Sequence, residues 1–439
     1  MRRFLITLGL LVAIGCGGEA DDAANPESAT DATTAGNAAG GLVADSPADA
    51  AKFIDRAVKL TSQGQLPKAI ESLSLAIGLD PQDPQTYVLR AGIQAELRLY
   101  ANALADYGTA IRFAPEEPRY HFLRGVFLLT RRQYDRAIGD FGEAIRLDAE
   151  FANAYNHRGL AFLAAGKHEE AGRDFDRVLQ LQPNDGEVLN NRGYALMKAK
   201  RYQEAIADFE AAISLKPDAA GAHNNLGLVH YEMKNYELAI SHFSEAILRD
   251  LHNPRYYSHR RAAYLKLSKQ ELADADANTI RWMASLMKLS RQVSADPQDS
   301  AAYIQRASHL LQGREYDAAL ADYDRAIRLQ PQTPGFYVER AKYWLARGQF
   351  DQAIGDCDQA LTIEEFQDAY SLRGDAYLQQ GDYDRAIADF TRAERLDPAV
   401  ASAYMMRARA LNAQNDTEGA EEALRQAVAI DPTINVQRQ

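Results

Sequence analysis

Residues 152–185 read ANAYNHRGLAFLAAGKHEEAGRDFDRVLQLQPND, and residues 186–219 read GEVLNNRGYALMKAKRYQEAIADFEAAISLKPDA. Laid one over the other, the two segments share Asn at position 5, Arg-Gly at 7 and 8, Ala at 20, Asp-Phe at 23 and 24, and Pro at 32. Self-similarity at a fixed period of this size marks a stack of supersecondary units. Within each segment apolar residues recur at spacings of three and four on both sides of a break near position 15. That pattern predicts two amphipathic helices joined by a turn.

The same period runs outward in both directions. Units begin at 50, 84, 118, 152, 186, 220 and 254, and four more at 300, 334, 367 and 401. Position 20 is alanine in all eleven (Ala69, Ala103, Ala137, Ala171, Ala205, Ala239, Ala273, Ala319, Ala353, Ala386, Ala420), and position 8 is Gly or Ala everywhere except Arg261. Antiparallel helices would set positions 8 and 20 opposite each other, so small side chains let the backbones approach. A large position-24 side chain, such as Phe141, Phe175 or Phe209, is expected to fill the next layer. The turn is often marked by glycine, as at Gly166, Gly313, Gly348 and Gly381, and proline at position 32 stops the second helix.

This set of positions resembles the tetratricopeptide repeat (TPR) family over about residues 50–432. The resemblance implies an all-α fold, a right-handed superhelical solenoid of antiparallel helix pairs with about eleven repeats, first helices lining a concave groove. It also implies a non-catalytic scaffold that binds proteins or peptides.

Position 7 is arginine in ten repeats and position 23 is aspartate in eight, and every repeat with the aspartate has the arginine. The pairs Arg90 and Asp106, Arg124 and Asp140, Arg158 and Asp174, Arg192 and Asp208, Arg260 and Asp276, Arg306 and Asp322, Arg340 and Asp356, and Arg373 and Asp389 lie on nearly the same level of a helical hairpin. They read as an ion-pair ladder within or between repeats, or else as a basic stripe for acidic ligands. In the sixth repeat both are lost together, to Leu226 and His242.

The central first helices carry Asn156, Asn190 with Asn191, and Asn224 with Asn225. A side-chain amide donates and accepts, so it can pair with an extended backbone of any sequence. Asn is also a poor helix former, so its recurrence needs a reason. That reason is either hydrogen bonding between repeats or a peptide track flanked by Tyr194 and Tyr231. The Lys and Asn clamp by which some TPR domains hold a C-terminal carboxylate is absent, since Ile54, Val58, Val88 and Gly92 occupy its positions.

The regular spacing breaks between 254 and 300. Ile280, Trp282, Met283, Leu286, Met287, Leu289 and Val293 recur largely at helical spacing there, so the second helix of the seventh repeat is expected to run on. It either packs on its neighbours or presents Trp282, Met283, Leu286 and Met287 as a docking or dimer surface. The expected organisation is a block of seven repeats over 50–285, an extended helix or linker over 286–299, and a block of four over 300–439. After Pro432 seven residues remain, too few for an extra capping helix, so an exposed last face could favour self-association.

The chain begins Met1-Arg2-Arg3, is largely apolar over residues 4–14, and reaches Ala13-Ile14-Gly15-Cys16. This is a charged segment and an apolar segment of signal-peptide length. It resembles the lipobox of bacterial lipoproteins, with Ala13 and Ile14 as mild departures. The resemblance implies a signal peptide over 1–15, cleavage before Cys16, a lipid on its sulfur, and a bacterial membrane lipoprotein facing the periplasm or cell exterior. Gly17 after the cysteine leans toward the outer membrane where there are two. Residues 16–49 hold almost no bulky apolar side chain and are expected to form a disordered acidic tether, with a root-mean-square reach of roughly 30 Å.

The net charge of −12 argues against a nucleic-acid surface. The nine histidines form no HExxH or other close metal-binding pair, and no GxSxG or GxGxxG occurs. Gly159 to Lys167 only faintly resembles a phosphate loop. Cys357, at position 24, reads as a small buried hydrophobe. His121 and His223 stand where other repeats carry an aromatic, so packing is their expected role. No cofactor and no catalytic residue is expected. The functional expectation is a lipid-anchored adaptor of the cell envelope. The alternatives are a self-assembling structural protein and, behind both, an enzyme with unrecognised activity.

Overall fold

The computed structural model describes residues 47–434; Cys16 and the segment expected to be a tether up to residue 46 lie outside them. The described residues form 22 helices and no strand. They fall into two compact units. The first holds α1 (Pro47–Ser62), α2 (Leu66–Leu79), α3 (Pro84–Glu96) and α4 (Tyr100–Phe113). The second holds α5 (Pro118–Thr130), α6 (Tyr134–Leu147), α7 (Ala152–Ala164), α8 (His168–Leu181), α9 (Gly186–Lys198), α10 (Tyr202–Leu215), α11 (Ala220–Glu232), α12 (Tyr236–Arg249), α13 (Pro254–Lys266) and α14 (Gln270–Ala295). It continues with α15 (Ser300–Gln312), α16 (Tyr316–Leu329), α17 (Pro334–Ala346), α18 (Phe350–Ile363), α19 (Gln367–Gln380), α20 (Tyr383–Arg392), α21 (Pro398–Ala413) and α22 (Thr417–Ile430). Odd-numbered helices are the first of each repeat and even-numbered helices the second.

The turn inside each hairpin falls at position 15, and that residue has positive φ in every repeat: Gly64, Arg98, Arg132, Gly166, Lys200, Lys234, Ser268, Arg314, Gly348, Gly381 and Asn415. A left-handed residue ends the first helix and turns the chain back on itself. Gly313 is a correction to the expected turn glycines. Its φ is −81°, and the left-handed residue is Arg314. Gly313 is small because the Trp282 indole covers it: a Cβ there would lie 2.1 Å from the ring.

The alanines at position 20 are each at most 1% exposed, which leaves no room for a larger side chain. The position-24 ring does not fill a separate layer. It lies directly on the small position-8 residue of its own repeat: a Cβ on Gly125, Gly159, Gly193, Gly227 or Gly374 would meet Phe141, Phe175, Phe209, Phe243 or Phe390 at 2.6–2.8 Å. Small residues at position 8 therefore admit a ring as well as a backbone. Several repeat entrances are fixed by side-chain caps, while those at Phe151, Ala219, Thr333 and Phe366 have none. Asp83, Glu117, Asp185, Asn253 and Asp299 accept hydrogen bonds from the first backbone N–H groups of the helix that follows. Position-4 side chains reach back across the junction: the hydroxyls of Tyr87, Tyr257 and Tyr337 donate to the carbonyls of Pro81, Leu251 and Pro331. His121 Nε2 makes the equivalent contact with the Pro115 carbonyl, so this histidine replaces a tyrosine in role as well as place.

The long helix is real. α14 runs 26 residues without a break, and 286–295 belongs to it. Three of the four residues considered as a docking surface are spent inside the stack. Met283 is buried with Ile247, Tyr256 and Tyr257, and Leu286 packs against Leu310, Tyr323 and Tyr343. Trp282 stacks on His309, its Nε1 donating to the His309 carbonyl while His309 Nε2 contacts the Trp282 carbonyl. Only Met287 stays exposed. The apolar spacing that suggested a surface is the seam joining the repeats on either side of α14. No described helix is long and apolar enough to cross a membrane.

Candidate functional site

First helices are the natural place for a ligand. In the second unit they pack on one another in the successive pairs α5–α7, α7–α9, α9–α11 and α11–α13, while successive second helices make no comparable pairing. The first helices therefore line the tighter side of the stack.

Eight Arg–Asp pairs brace the hairpins. Each is bidentate and lies within one repeat, for example Arg158 Nε and Nη2 donating to Asp174 at 2.8 and 2.7 Å, or Arg306 to Asp322 at 2.7 and 2.7 Å. The aspartates are buried and the arginines partly so. Pairing raises the Arg90, Arg124, Arg158 and Arg306 guanidinium pKa above its already high ordinary value. In five repeats the remaining nitrogen, Nη1, crosses to position 25 of the preceding repeat: Arg90 to Ser74, Arg192 to Asp176, Arg260 to Ser244, Arg340 to Asp324, and Arg373 to Asp358. Arg90, Arg158, Arg260, Arg306, Arg340 and Arg373 also lie over their position-4 rings, as Arg158 over Tyr155 at 5.5 Å and Arg373 over Tyr370 at 5.4 Å. With Nε and Nη2 of every one of these arginines bound to an aspartate of the same repeat, the ladder is a bracket between helices. It is not an open basic stripe. The crossing to position 25 was invisible in the sequence, because Ser and Asp there look like ordinary surface residues.

Side chains of the fifth, sixth and seventh repeats form a second ladder at positions 5 and 6. Asn225 Nδ2 donates to Asn190 Oδ1 at 2.9 Å, and His259 Nδ1 lies 2.7 Å from Asn224 Oδ1, each pair 35 residues apart. Hydrogen bonding between repeats is thus present. It uses one group of each amide and leaves the rest. Asn156 Oδ1 is buried with no protein partner, and Asn191 is half-buried. Tyr194 and Tyr231 border the row: Tyr194 sits under Lys198 at 5.3 Å, and Tyr231 meets Tyr236 edge-on at 5.4 Å. His259 is the member sequence reasoning missed; its place at position 6, one repeat after Asn225, was the available signal.

Cys357 is fully buried, and burial pushes its thiol up to about 12, far from a nucleophile's range at neutral pH.

Family models of the tetratricopeptide repeat match residues 88–146, 128–186, 304–369 and 371–433, with further TPR matches over 193–234 and 220–253. The chain is a tetratricopeptide-repeat protein. As a TPR array it is a protein–protein interaction scaffold, and proteins of this family generally bind peptides or other proteins. Among solved structures the TPR chain is similar to YrrB, described as a TPR protein with an unusual peptide-binding site (23% identity, 41% of this chain and 93% of that one, TM-score 0.37). It is also similar to MamA (19%, 39% and 93%, TM-score 0.36) and to pilF of Pseudomonas aeruginosa (20%, 52% and 98%, TM-score 0.34). No match was found among curated proteins.

Proposed function

We propose that this TPR protein is a non-catalytic adaptor, held by a lipid on Cys16 at a bacterial membrane and facing the periplasm or cell exterior, that binds an extended segment of a partner along α7, α9 and α11. The supporting observation is the linked amide row. The Asn225 to Asn190 hydrogen bond holds two amides in register across a repeat boundary and leaves an N–H on each and the Asn225 oxygen available. Amides fixed in this way offer an incoming backbone alternate donors and acceptors at low ordering cost. The anchor rests on the Ala13-Ile14-Gly15-Cys16 box and the apolar segment before it.

Two experiments test the two halves separately. Partner capture from native membranes compares wild type with Asn191→Ala/Asn225→Ala; the variant is expected to lose most of the recovered segment-bearing partner while keeping its helical content. Equal recovery by a folded variant sinks the amide row. Metabolic labelling with a fatty-acid analogue is expected to mark the wild type and leave Cys16→Ser unlabelled and released from the membrane fraction. Absence of label on both would remove the anchor and leave the groove reading intact.

A further inference from the structure

Between the second and tenth repeats, only the sixth lacks the Arg–Asp bracket. Three imidazoles stand in its place. His230 on α11 and His242 on α12 lie nearly parallel, centroids 5.3 Å and planes 6° apart, and His223 on α11 stacks 6.5 Å from His242. Nδ1 of His230 is buried without a hydrogen-bond partner, and the buried His223 ring lies by the Pro217 carbonyl, which favours its protonated form and is outweighed by burial. Among the described residues no group of three His, Cys, Asp or Glu could hold a metal ion.

The charged surroundings are few. From α10, Glu210 faces His230; it is the position-25 residue that an arginine at 226 would have met. On α12, Glu245 and Arg249 act on His223, and Glu245 also on His242. On α13 lies His259, influenced by Arg255 and bonded to Asn224. No charged group of α9 is among those acting on the three rings within the described residues. Burial is the largest influence on each of the three and holds them below the ordinary imidazole range; His242 is lowered further by His230 and His223.

We propose that the stack makes the sixth repeat an acid-sensitive joint: neutral rings close α11 on α12, and protonation loosens that hairpin while the bracketed repeats beside it stay shut. The direction follows from linkage. Above the ordinary value of 6.5 the rings are neutral folded or unfolded, and the contact contributes in full. Below it the unfolded hairpin takes up protons that the folded one resists, so its stability falls with pH. Each unit of depression is tenfold in the opening equilibrium. The inference is independent of which partner the groove takes.

Hydrogen exchange of the full chain at pH 7.5 and pH 5.0, corrected for the intrinsic rate, tests it. In the wild type, protection in α11 and α12 is expected to fall by about tenfold or more relative to α9 and α10. Leu226→Arg/His242→Asp restores the bracket, and His230→Phe/His242→Phe keeps a stack that cannot charge; both are expected to hold protection at pH 5.0. Unchanged protection in the wild type overturns the joint. So does an equal loss in whichever of the two variants folds.

Discussion

At the scale of single residues, the left-handed turn position carries the clearest prediction. Lys200 has φ 62° and is exposed, so its side chain contributes little to packing while its backbone pays for a conformation that glycine adopts freely. Lys200→Gly is expected to raise stability by about 0.5–1 kcal/mol in chemical denaturation. No change, or a loss, would mean that the lysine side chain matters more than its backbone. Gly313→Ala should behave in the opposite way: the added Cβ collides with the Trp282 ring, and a loss of about 1–3 kcal/mol is expected. Legibility differed at these two sites. Glycine at 166, 348 and 381 announced the turn, but Arg, Lys and Ser at the equivalent position carry no sign of positive φ. Gly313 misled because its smallness serves a ring 31 residues upstream.

At the scale of elements, the bracket holds each hairpin shut. Asp208 is buried and accepts from Nε and Nη2 of Arg192, so Asp208→Ala leaves a partly buried guanidinium with only the exposed Asp176. A loss of about 2 kcal/mol is expected, read as faster hydrogen exchange in α9 and α10. Removing the exposed Glu204, which pairs with Arg201, should leave exchange unaltered and serves as the control. Pairing of positions 7 and 23 was readable because no buried position-23 aspartate occurs without its arginine, and the sixth repeat loses both together. The fate of the amides was readable only as two alternatives. A side chain with several donors and acceptors can serve a neighbour and a ligand together, and only coordinates show which groups remain. The extension of α14 was readable from its spacing; its burial was not, since apolar residues at three and four describe an outward face as well as an inward one.

At the scale of the molecule, the repeat number and the all-α architecture were set by a period that eleven segments share, which no local irregularity could mask. What the period could not convey is how unevenly adjacent repeats are joined. Arg192 reaches Asp176, Arg260 reaches Ser244, and Arg340 and Arg373 reach Asp324 and Asp358. Arg158 finds only Gly142 at the matching place, and Leu226 has nothing to extend toward Glu210. In a quasi-one-dimensional array such nearest-neighbour terms decide which repeats open together. Asp176→Ala is therefore expected to separate the exchange of α7 and α8 from that of α9 and α10, which in the wild type should open as one; persistence of joint opening would assign their coupling to packing alone.

The same unevenness has a mechanical reading. Pulled from its two ends, a uniform solenoid would tear anywhere along its length. Here an arginine stitch joins the fourth repeat to the fifth, the sixth to the seventh, the eighth to the ninth and the ninth to the tenth, while the seam before Arg158 has none. Under load the seam before Arg158, crossed by no arginine stitch and no amide bond, would part ahead of the stitched ones and absorb tension before any bracketed hairpin gave way.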